Sequence, residues 1–217
     1  MLVSLIRPVM QSSLFESQAS GDILNLLPKH GCAHYLSKVF TELNSASLMS
    51  QLQSSLVWEP DELILFGKRI STRRKVAWIG DPDCSYTYSG VKKHPQVWTP
   101  LLKSVKTQLE ELAQSEFNSC LLNFYHDGAD GMGWHSDDEK ELDPDSPITS
   151  LSLGAQRKFA FRHKVDKTTV PLYLESGSVL IMHSPTQQFW QHALLKTKTV
   201  SSPRMNLTFR KIKLHHG

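Results

Sequence analysis

His135, Ser136 and Asp137 close a stretch, running from Asn123 to Asp138, whose residue types can hold a metal ion. An imidazole and a carboxylate two residues apart on an extended chain point to the same side, because strand side chains alternate with a period of two. Both can then ligate one cation. A second His from a distant strand would complete a two-His-one-carboxylate face, which leaves open positions on Fe(II). His192, in Phe189-Trp-Gln-His192-Ala-Leu, is a candidate for that distal ligand, and on spacing alone His183 and His163 are its rivals. The chain holds 10 histidines, so the pair by itself is a weak signal. After Gly128, Gly131 and Gly133 it also reads as a surface loop.

A second constellation raises the odds. Arg204-Met-Asn206-Leu-Thr208-Phe-Arg210 alternates along a strand. Arg204, Asn206, Thr208 and Arg210 fall on one face, and Met205, Leu207 and Phe209 on the other. Two guanidiniums on the inward face of a barrel are costly unless an anion neutralises them, and Arg recognises carboxylates bidentately. Six residues of strand put the two roughly 20 Å apart at most, less after twist and side-chain reach, which suits the ends of a small dicarboxylate. Asn123 and Tyr125 form a matching polar face upstream of His135 and can bond the same anion. The opposite orientation, with Arg outward and Met-Leu-Phe inward, is reconciled with this one if helices cover the apolar face.

The elements that must position these residues follow from patterning. At 217 residues the chain fits one domain with a sizeable core. Hydrophobic residues are 40% and charged residues 21%, ordinary for a globular protein. The net charge of +3 does not by itself announce a nucleic-acid partner. Two basic clusters do stand out, Lys68, Arg69, Arg73, Arg74, Lys75 and Arg157, Lys158, Arg162, His163, Lys164, each read as a solvated face or a phosphate track. Three cysteines without a C-x-x-C pair argue against a disulfide framework or a zinc knuckle and favour a reducing cytoplasm. No apolar run approaches the roughly 20 residues that span a bilayer, and the opening residues do not read as a signal peptide.

Residues 1 to about 30 read as an irregular arm. The chain extends around Tyr35-Leu36, and a helix capped by Ser45 carries Leu48, Leu52 and Leu56 on one face. Glu62 to Phe66 and Arg74 to Ile79 read as strands, with a turn at Gly67, and Tyr86-Thr-Tyr88 as a short aromatic alternation. Thr99 caps a second helix with Pro100 at its first position and Leu101, Leu102, Val105, Leu109 and Leu112 as its stripe. From Cys120 onward only strands follow, at 120–126, 147–154, 157–163, 170–174, 177–183, 190–194 and 205–213. Many short strands at this spacing predict a barrel or a double-sheet jelly roll, with the two helices packed outside.

Taken together, Asn-x-Tyr, His-x-Asp, a distal His and Arg-x-Asn-x-Thr-x-Arg resemble the AlkB family of Fe(II)- and 2-oxoglutarate-dependent nucleic-acid dioxygenases, from about Trp58 to Lys213. Within it the chain is most similar to the member that repairs double-stranded DNA, through Leu65-Phe66-Gly67-Lys68, Tyr86-Thr-Tyr88-Ser-Gly, His135-Ser-Asp137-Asp138-Glu139, Phe161-Arg-His-Lys and the Arg204 strand. It departs from that member at Ser136, where a basic residue is usual, and at Arg69-Ile70. The resemblance implies a mostly β, α+β fold: a double-stranded β-helix, or jelly roll, at 119–213, a nucleotide-recognition lid at 57–92, and one domain over 31–217 behind the arm at 1–30.

It also implies roles. His135, Asp137 and His192 hold iron, which favours His192 over its rivals. Arg204 takes the distal carboxylate of 2-oxoglutarate; Arg210, Asn123 and Tyr125 hold its other end or body, with Asn206 and Thr208 beside them. Tyr88 stacks on a flipped base opposite His135, Asp138 faces the base's amine or cationic ring, Tyr86 lines the pocket, and Phe66 fills the gap in the duplex. Gly67, Lys68 and Thr87 belong with these substrate contacts. An extruded base costs a few kcal/mol, least where methylation has already broken its pairing; an apolar wedge offsets lost stacking; an aromatic box with a carboxylate suits a cationic base.

The expected activity is oxidative demethylation of 1-methyladenine and 3-methylcytosine in alkylated DNA, duplex or single-stranded. Dioxygen and 2-oxoglutarate are consumed, and succinate, carbon dioxide and formaldehyde are released. A monomer in the cytoplasm with access to the nucleoid, or in the nucleus of a eukaryote, is expected, with no membrane partner. The alternatives are the same chemistry on RNA or a protein side chain, and a non-catalytic barrel that binds nucleic acid through its basic clusters.

Overall fold

The computed structural model describes residues 24–65, 68–84, 86–88 and 91–213; for 63–65, 68–70, 86–88 and 91–93 it describes the backbone only. Phe66, Gly67, most of the expected N-terminal arm, and the side chains of Lys68, Tyr86, Thr87 and Tyr88 therefore lie outside the described residues.

The strands are β1 (Cys32–Leu36), β2 (Glu59–Leu65), β3 (Lys68–Gly80), β4 (Tyr86–Tyr88), β5 (Val91–Lys93), β6 (Ser119–Tyr125), β7 (Met132–His135), β8 (Ile148–Gly154), β9 (Arg157–His163), β10 (Thr169–Leu174), β11 (Val179–His183), β12 (Trp190–Leu194) and β13 (Arg204–Arg210). Helices α1 (Glu42–Ser55), α2 (Pro100–Ala113) and the short α3 (Thr186–Phe189) complete the set. Seven strands form one sheet in the order β1-β11-β8-β13-β6-β3-β2, and four form a second in the order β10-β9-β12-β7. All named pairings within these two sheets are antiparallel, so this is the expected jelly roll. The β4–β5 pair forms a third, two-stranded sheet.

Alternation on β13 decides how the layers stack. Met205, Leu207 and Phe209 are fully buried and join Leu48 and Leu52 of α1 and Leu102, Val105 and Leu109 of α2 in one cluster. The helices therefore cover the outer face of the large sheet, and the polar face of β13 turns toward the small one. A second cluster, including Leu180 and Met182 of the large sheet and Phe159, Phe161 and Trp190 of the small one, fills the space between the sheets.

Helix α2 begins as predicted. Thr99 accepts from the Leu102 amide at 3.2 Å, satisfying one of the amides that a helix start leaves unpaired, and Pro100 follows. Helix α1 starts earlier than expected. Its cap is Thr41, accepting from the Asn44 amide at 3.3 Å, and Ser45 is instead buried within the helix. Strand β3 is longer than the Arg74–Ile79 segment because its first part pairs with β2 out to Leu65↔Lys68. Met132–His135 forms a strand of its own, against β12.

Two readings of the basic clusters need correction. Arg157 is 1% exposed. It donates to the carbonyls of Asp127 (3.0 Å), Gly128 (3.2 Å), Asp130 (2.7 Å) and Leu195 (2.9 Å). It is a buried clamp on the loop that leads into β7, not a solvated cation. Arg74 is likewise buried, paired with Asp61, and the Arg162 guanidinium carbon stands over the Trp134 ring, 4.1 Å from its centroid. Alternation hides Arg74 between the exposed Arg73 and Lys75 on β3, and Arg157 and His163 on one face of β9. Replacing Arg157 by Leu removes a donor from four carbonyls; those of Asp127 and Gly128 keep the Asp130 and Thr197 amides, while those of Asp130 and Leu195 lose the guanidinium that holds them. We expect a loss of at least about 3 kcal/mol, measured by urea unfolding, with weaker metal binding because the loop no longer fixes β7.

Candidate active site

The two sheets leave a cavity of about 140 Å³ between them. Its walls are drawn from β6, β8, β11 and β13 on one side and β7, β9 and β12 on the other. Every metal and dicarboxylate residue singled out above lines it: His135, Asp137, His192, Asn123, Tyr125, Arg204, Asn206, Thr208 and Arg210.

The loop before β7 makes its close turns with glycine. A Cβ on Gly128 would stand 2.3 Å from the Thr197 carbonyl oxygen, and the same backbone exchanges hydrogen bonds with Val200 and Thr197 at 2.7 and 2.8 Å. Only glycine lets the two chains approach that far. The loop delivers β7 against β12, where His135 and His192 pair directly. Their rings sit 4.3 Å apart at 62°. The ladder ends at His135, and Asp137, two residues on, comes back to the same side as the two rings. Ser136 turns away and donates to the Trp190 carbonyl at 3.1 Å. The Asp137 amide is held by Gln187 Oε1 at 3.0 Å.

The ligand atoms of His135, Asp137 and His192 all lie within 4.8 Å of one another. His135 Nδ1 lies 2.8 Å from the Gly133 carbonyl, which fixes the proton there. Nε2 is then free as a ligand and stands 3.6 Å from Asp137 Oδ1. Burial pushes the His192 imidazolium down to about 4, against the pull of Asp137, so the ring is neutral. Its Nδ1 is buried without a partner. Burial opposes ionisation of Asp137, but the Arg210 guanidinium beside it outweighs this and holds the carboxyl below the usual carboxylate range. Two imidazoles and one ionised carboxylate at this spacing fit a divalent iron. The rivals are elsewhere: His163 pairs with Asp166 at 3.0 Å, and His183 belongs to a different group.

Beyond the triad lies the polar face of β13. Arg204 is opposite Tyr125, and Asn206 opposite Asn123, across the β13–β6 ladder. Arg204 is 2% exposed. Its Nη2 donates to Ser152 Oγ at 2.9 Å and Asn206 Oδ1 at 3.0 Å, and its guanidinium faces the Tyr125 ring at 5.4 Å. Its Nε has no partner. None of these neighbours is an anion. Burial accordingly pushes its pKa down to about 10, and a buried cation in this state calls for a bound carboxylate. The Ser150 hydroxyl donates to Asn206 Oδ1 at 2.8 Å and the Asn206 amide to Thr208 Oγ1 at 2.7 Å, which locks this face.

Arg210, also in the cavity wall, faces two carboxylates. Its Nη2 is 3.2 Å from Asp137 Oδ2 and its Nη1 3.5 Å from Glu139. Burial lowers its pKa, but these two carboxylates raise it more. Its observed partner is thus the metal-type carboxylate. Asp138 lies at the exposed rim, 3.5 Å from Lys164. Ser150, Ser152 and Arg157 were missed. The first two alternate with Leu151 and Leu153 in β8, a signal that marks the strand and its polar face but not what the serines hold.

The sequence profile of the 2OG-Fe(II) oxygenase superfamily matches residues 32–210. The chain is 40% identical over 209 residues to the DNA oxidative demethylase ALKBH2 of Mus musculus, covering 89% of this chain and 87% of that protein. It is 44% identical over 158 residues to the Homo sapiens protein of the same name, covering 69% of this chain and 60% of that one. It is 37% identical over 186 residues to the alpha-ketoglutarate-dependent dioxygenase alkB homolog 3 of Mus musculus, covering 80% and 64%. The structure of OsALKBH1 shares the fold, with a TM-score of 0.56 at 19% identity over 82% of this chain and 96% of that one. The profile runs from β1 to the last residue of β13, through both sheets and the cavity between them: the chain belongs to the 2OG-Fe(II) oxygenase superfamily.

Proposed function

We propose that the chain is a DNA oxidative demethylase that removes N-methyl groups from 1-methyladenine and 3-methylcytosine. The observation that carries this is Arg204: a buried guanidinium without an anion, beside a triad that fits iron. The cofactors of the superfamily are Fe(II) and 2-oxoglutarate. Together with dioxygen they supply a two-electron oxidation of the methyl carbon, while 2-oxoglutarate goes to succinate and carbon dioxide. The hydroxymethylated base then breaks down to formaldehyde and the unmethylated base. DNA as the substrate rests on the relatives called DNA oxidative demethylases.

His135, Asp137 and His192 hold the metal. Arg204 binds the distal carboxylate of 2-oxoglutarate, with Asn123, Tyr125, Asn206 and Thr208 around its body. Arg210 serves Asp137 and, through it, the metal end of the cosubstrate. Phe159, stacked on His192 at 5.4 Å, and Leu180, Met182 and Leu194 make the wall apolar, which excludes water from the reacting methyl. The lid at 57–92, with Tyr86 and Tyr88, receives the flipped base; Asp138 faces that base once it leaves Lys164.

Mass spectrometry of a methylated oligonucleotide tests the reading. A loss of 14 mass units that requires both Fe(II) and 2-oxoglutarate is expected, and no loss with iron loaded anaerobically before oxygen is added overturns it. RNA and DNA oligonucleotides in the same assay decide the substrate class. Phe66→Ala should lower turnover on duplex at least about tenfold while leaving single strands within about twofold, because a wedge matters only where a stack must be refilled.

A further inference from the structure

Cys32, His34 and His183 form a second set of metal-type donors, with ligand atoms all within 4.8 Å of one another. Cys32 and His34 stand two apart on β1, and His183 of β11 lies directly opposite Cys32. The first site has the same plan: His135 and Asp137 stand two apart, and His192 lies opposite His135. In each case the period of two puts the pair on one side, and the cross-strand neighbour, with its Cβ about 5 Å away, closes the triangle.

We propose that Cys32, His34 and His183 bind a zinc ion at a site separate from the catalytic cavity. The two sites lie on opposite faces of the large sheet. Leu180 and Met182 of β11 line the cavity, whereas Val179 and Ile181 pack into the helix-covered cluster. His183 has the parity of Ile181. On β1, His34 is paired with Ile181 and Leu36 with Val179, so Cys32 and His34 share that outer face.

The donor chemistry selects the ion. One thiol and two imidazoles, with no carboxylate, are borderline-soft ligands that suit zinc. Cys32 Sγ and His34 Nε2 are 3.4 Å apart. Bond lengths of about 2.3 Å to sulfur and 2.0–2.1 Å to nitrogen around a tetrahedral zinc put two such atoms roughly 3.5 Å apart. All three residues are half-buried, close enough to the surface for an ion to enter. Water takes the fourth position. Strand β1 is the edge of the seven-stranded sheet, paired with β11 and bridged on its outer side by Asn25 opposite His34. An ion bonded to both strands clips that edge and stabilises the folded state by mass action.

Cobalt(II) is the probe, because a thiolate-to-cobalt charge-transfer band in the near ultraviolet arises only where sulfur is a ligand, and the catalytic triad has none. The other two cysteines, Cys84 and Cys120, are fully buried and do not belong to either donor set. The full chain and its Asp137→Ala variant should both show the band, and Cys32→Ser should lack it. Elemental analysis after zinc loading should find one ion fewer in Cys32→Ser and in Asp137→Ala than in the unmodified chain. His183→Gln, in which sulfur and strand are both kept, should weaken cobalt binding at least about tenfold. It answers the question if Cys32→Ser fails to fold. No charge-transfer band in the unmodified chain, a band that survives Cys32→Ser, or unchanged cobalt affinity in His183→Gln overturns the proposal.

Discussion

Asp137→Ala is expected to destabilise the metal-free protein by about 3 kcal/mol, in addition to abolishing iron binding and demethylation. The loss of a ligand explains the second effect but not the first. Asp137 is 6% exposed, and its Oδ2 is 3.2 Å from Arg210. Removing the carboxylate leaves a buried guanidinium with only Glu139 near it, at 3.5 Å and 53% exposed. Breaking a buried pair by deleting one partner costs about 3–5 kcal/mol, and the surviving contact to Glu139 puts this case at the lower end. Asp137→Ala combined with Arg210→Met should recover most of that stability and still bind no iron, because no unpaired charge remains. Urea unfolding of the three metal-free variants measures this. A single variant as stable as the unmodified chain, or a double variant no more stable than the single, would show that the pair is not coupled.

The pairing has a functional consequence. A carboxylate in a dry cavity tends to take up a proton, and a protonated one is a poor ligand. Arg210 prevents this by holding Asp137 below its ordinary range, while burial keeps His192 neutral. Asp137 and His192 are thus in their metal-binding protonation states before iron arrives.

The sequence made these contacts legible to different depths. Side-chain parity on β13 was enough to place Arg204 and Arg210 inward and Met205, Leu207 and Phe209 against the helices, because a strand offers only two faces. Thr99-Pro100 located α2 because both residues act on the same unpaired amides. The start of α1 was misplaced because Thr41 and Ser45 are both good caps, and what decides between them is that the Ser45 side chain is enclosed in the fold. Arg157 was unreadable as a clamp. Its four carbonyl partners come from the loops at 127–130 and at 195, and nothing local distinguishes it from Lys158, which is exposed. The partner of Arg210 was hidden in the same way: parity says which side a guanidinium faces, not which of two anions it meets. Cys32 and His183 were invisible as a pair because only the β1–β11 register brings them together.

Arg204→Met should separate binding from stability more cleanly than any other change in the cavity. Its guanidinium is 2% exposed and held by neutral oxygens of Ser152 and Asn206, with Nε unpartnered. Without cosubstrate it is an uncompensated buried cation, so an apolar side chain of similar length should leave the metal- and cosubstrate-free protein within about 1 kcal/mol of the original. The freed Ser152 hydroxyl and Asn206 carbonyl cost something, but Ser150 still donates to Asn206 at 2.8 Å. Binding should respond very differently. A carboxylate left unpaired in a dry site costs about 2–5 kcal/mol, so the 2-oxoglutarate KM should rise at least about 30-fold. The stabilisation given by cosubstrate at a hundred times its dissociation constant, about 2.7 kcal/mol for the unmodified chain, should fall to about 0.9 kcal/mol or less at the same concentration. Arg204→Lys keeps the charge and loses the two-pronged geometry, and it should fall between the two. Thermal unfolding of the manganese-loaded protein with and without 2-oxoglutarate separates these outcomes. If Arg204→Met unfolds far more easily without cosubstrate, or still gains the full stabilisation with it, then the buried guanidinium serves the fold and the dicarboxylate is held elsewhere.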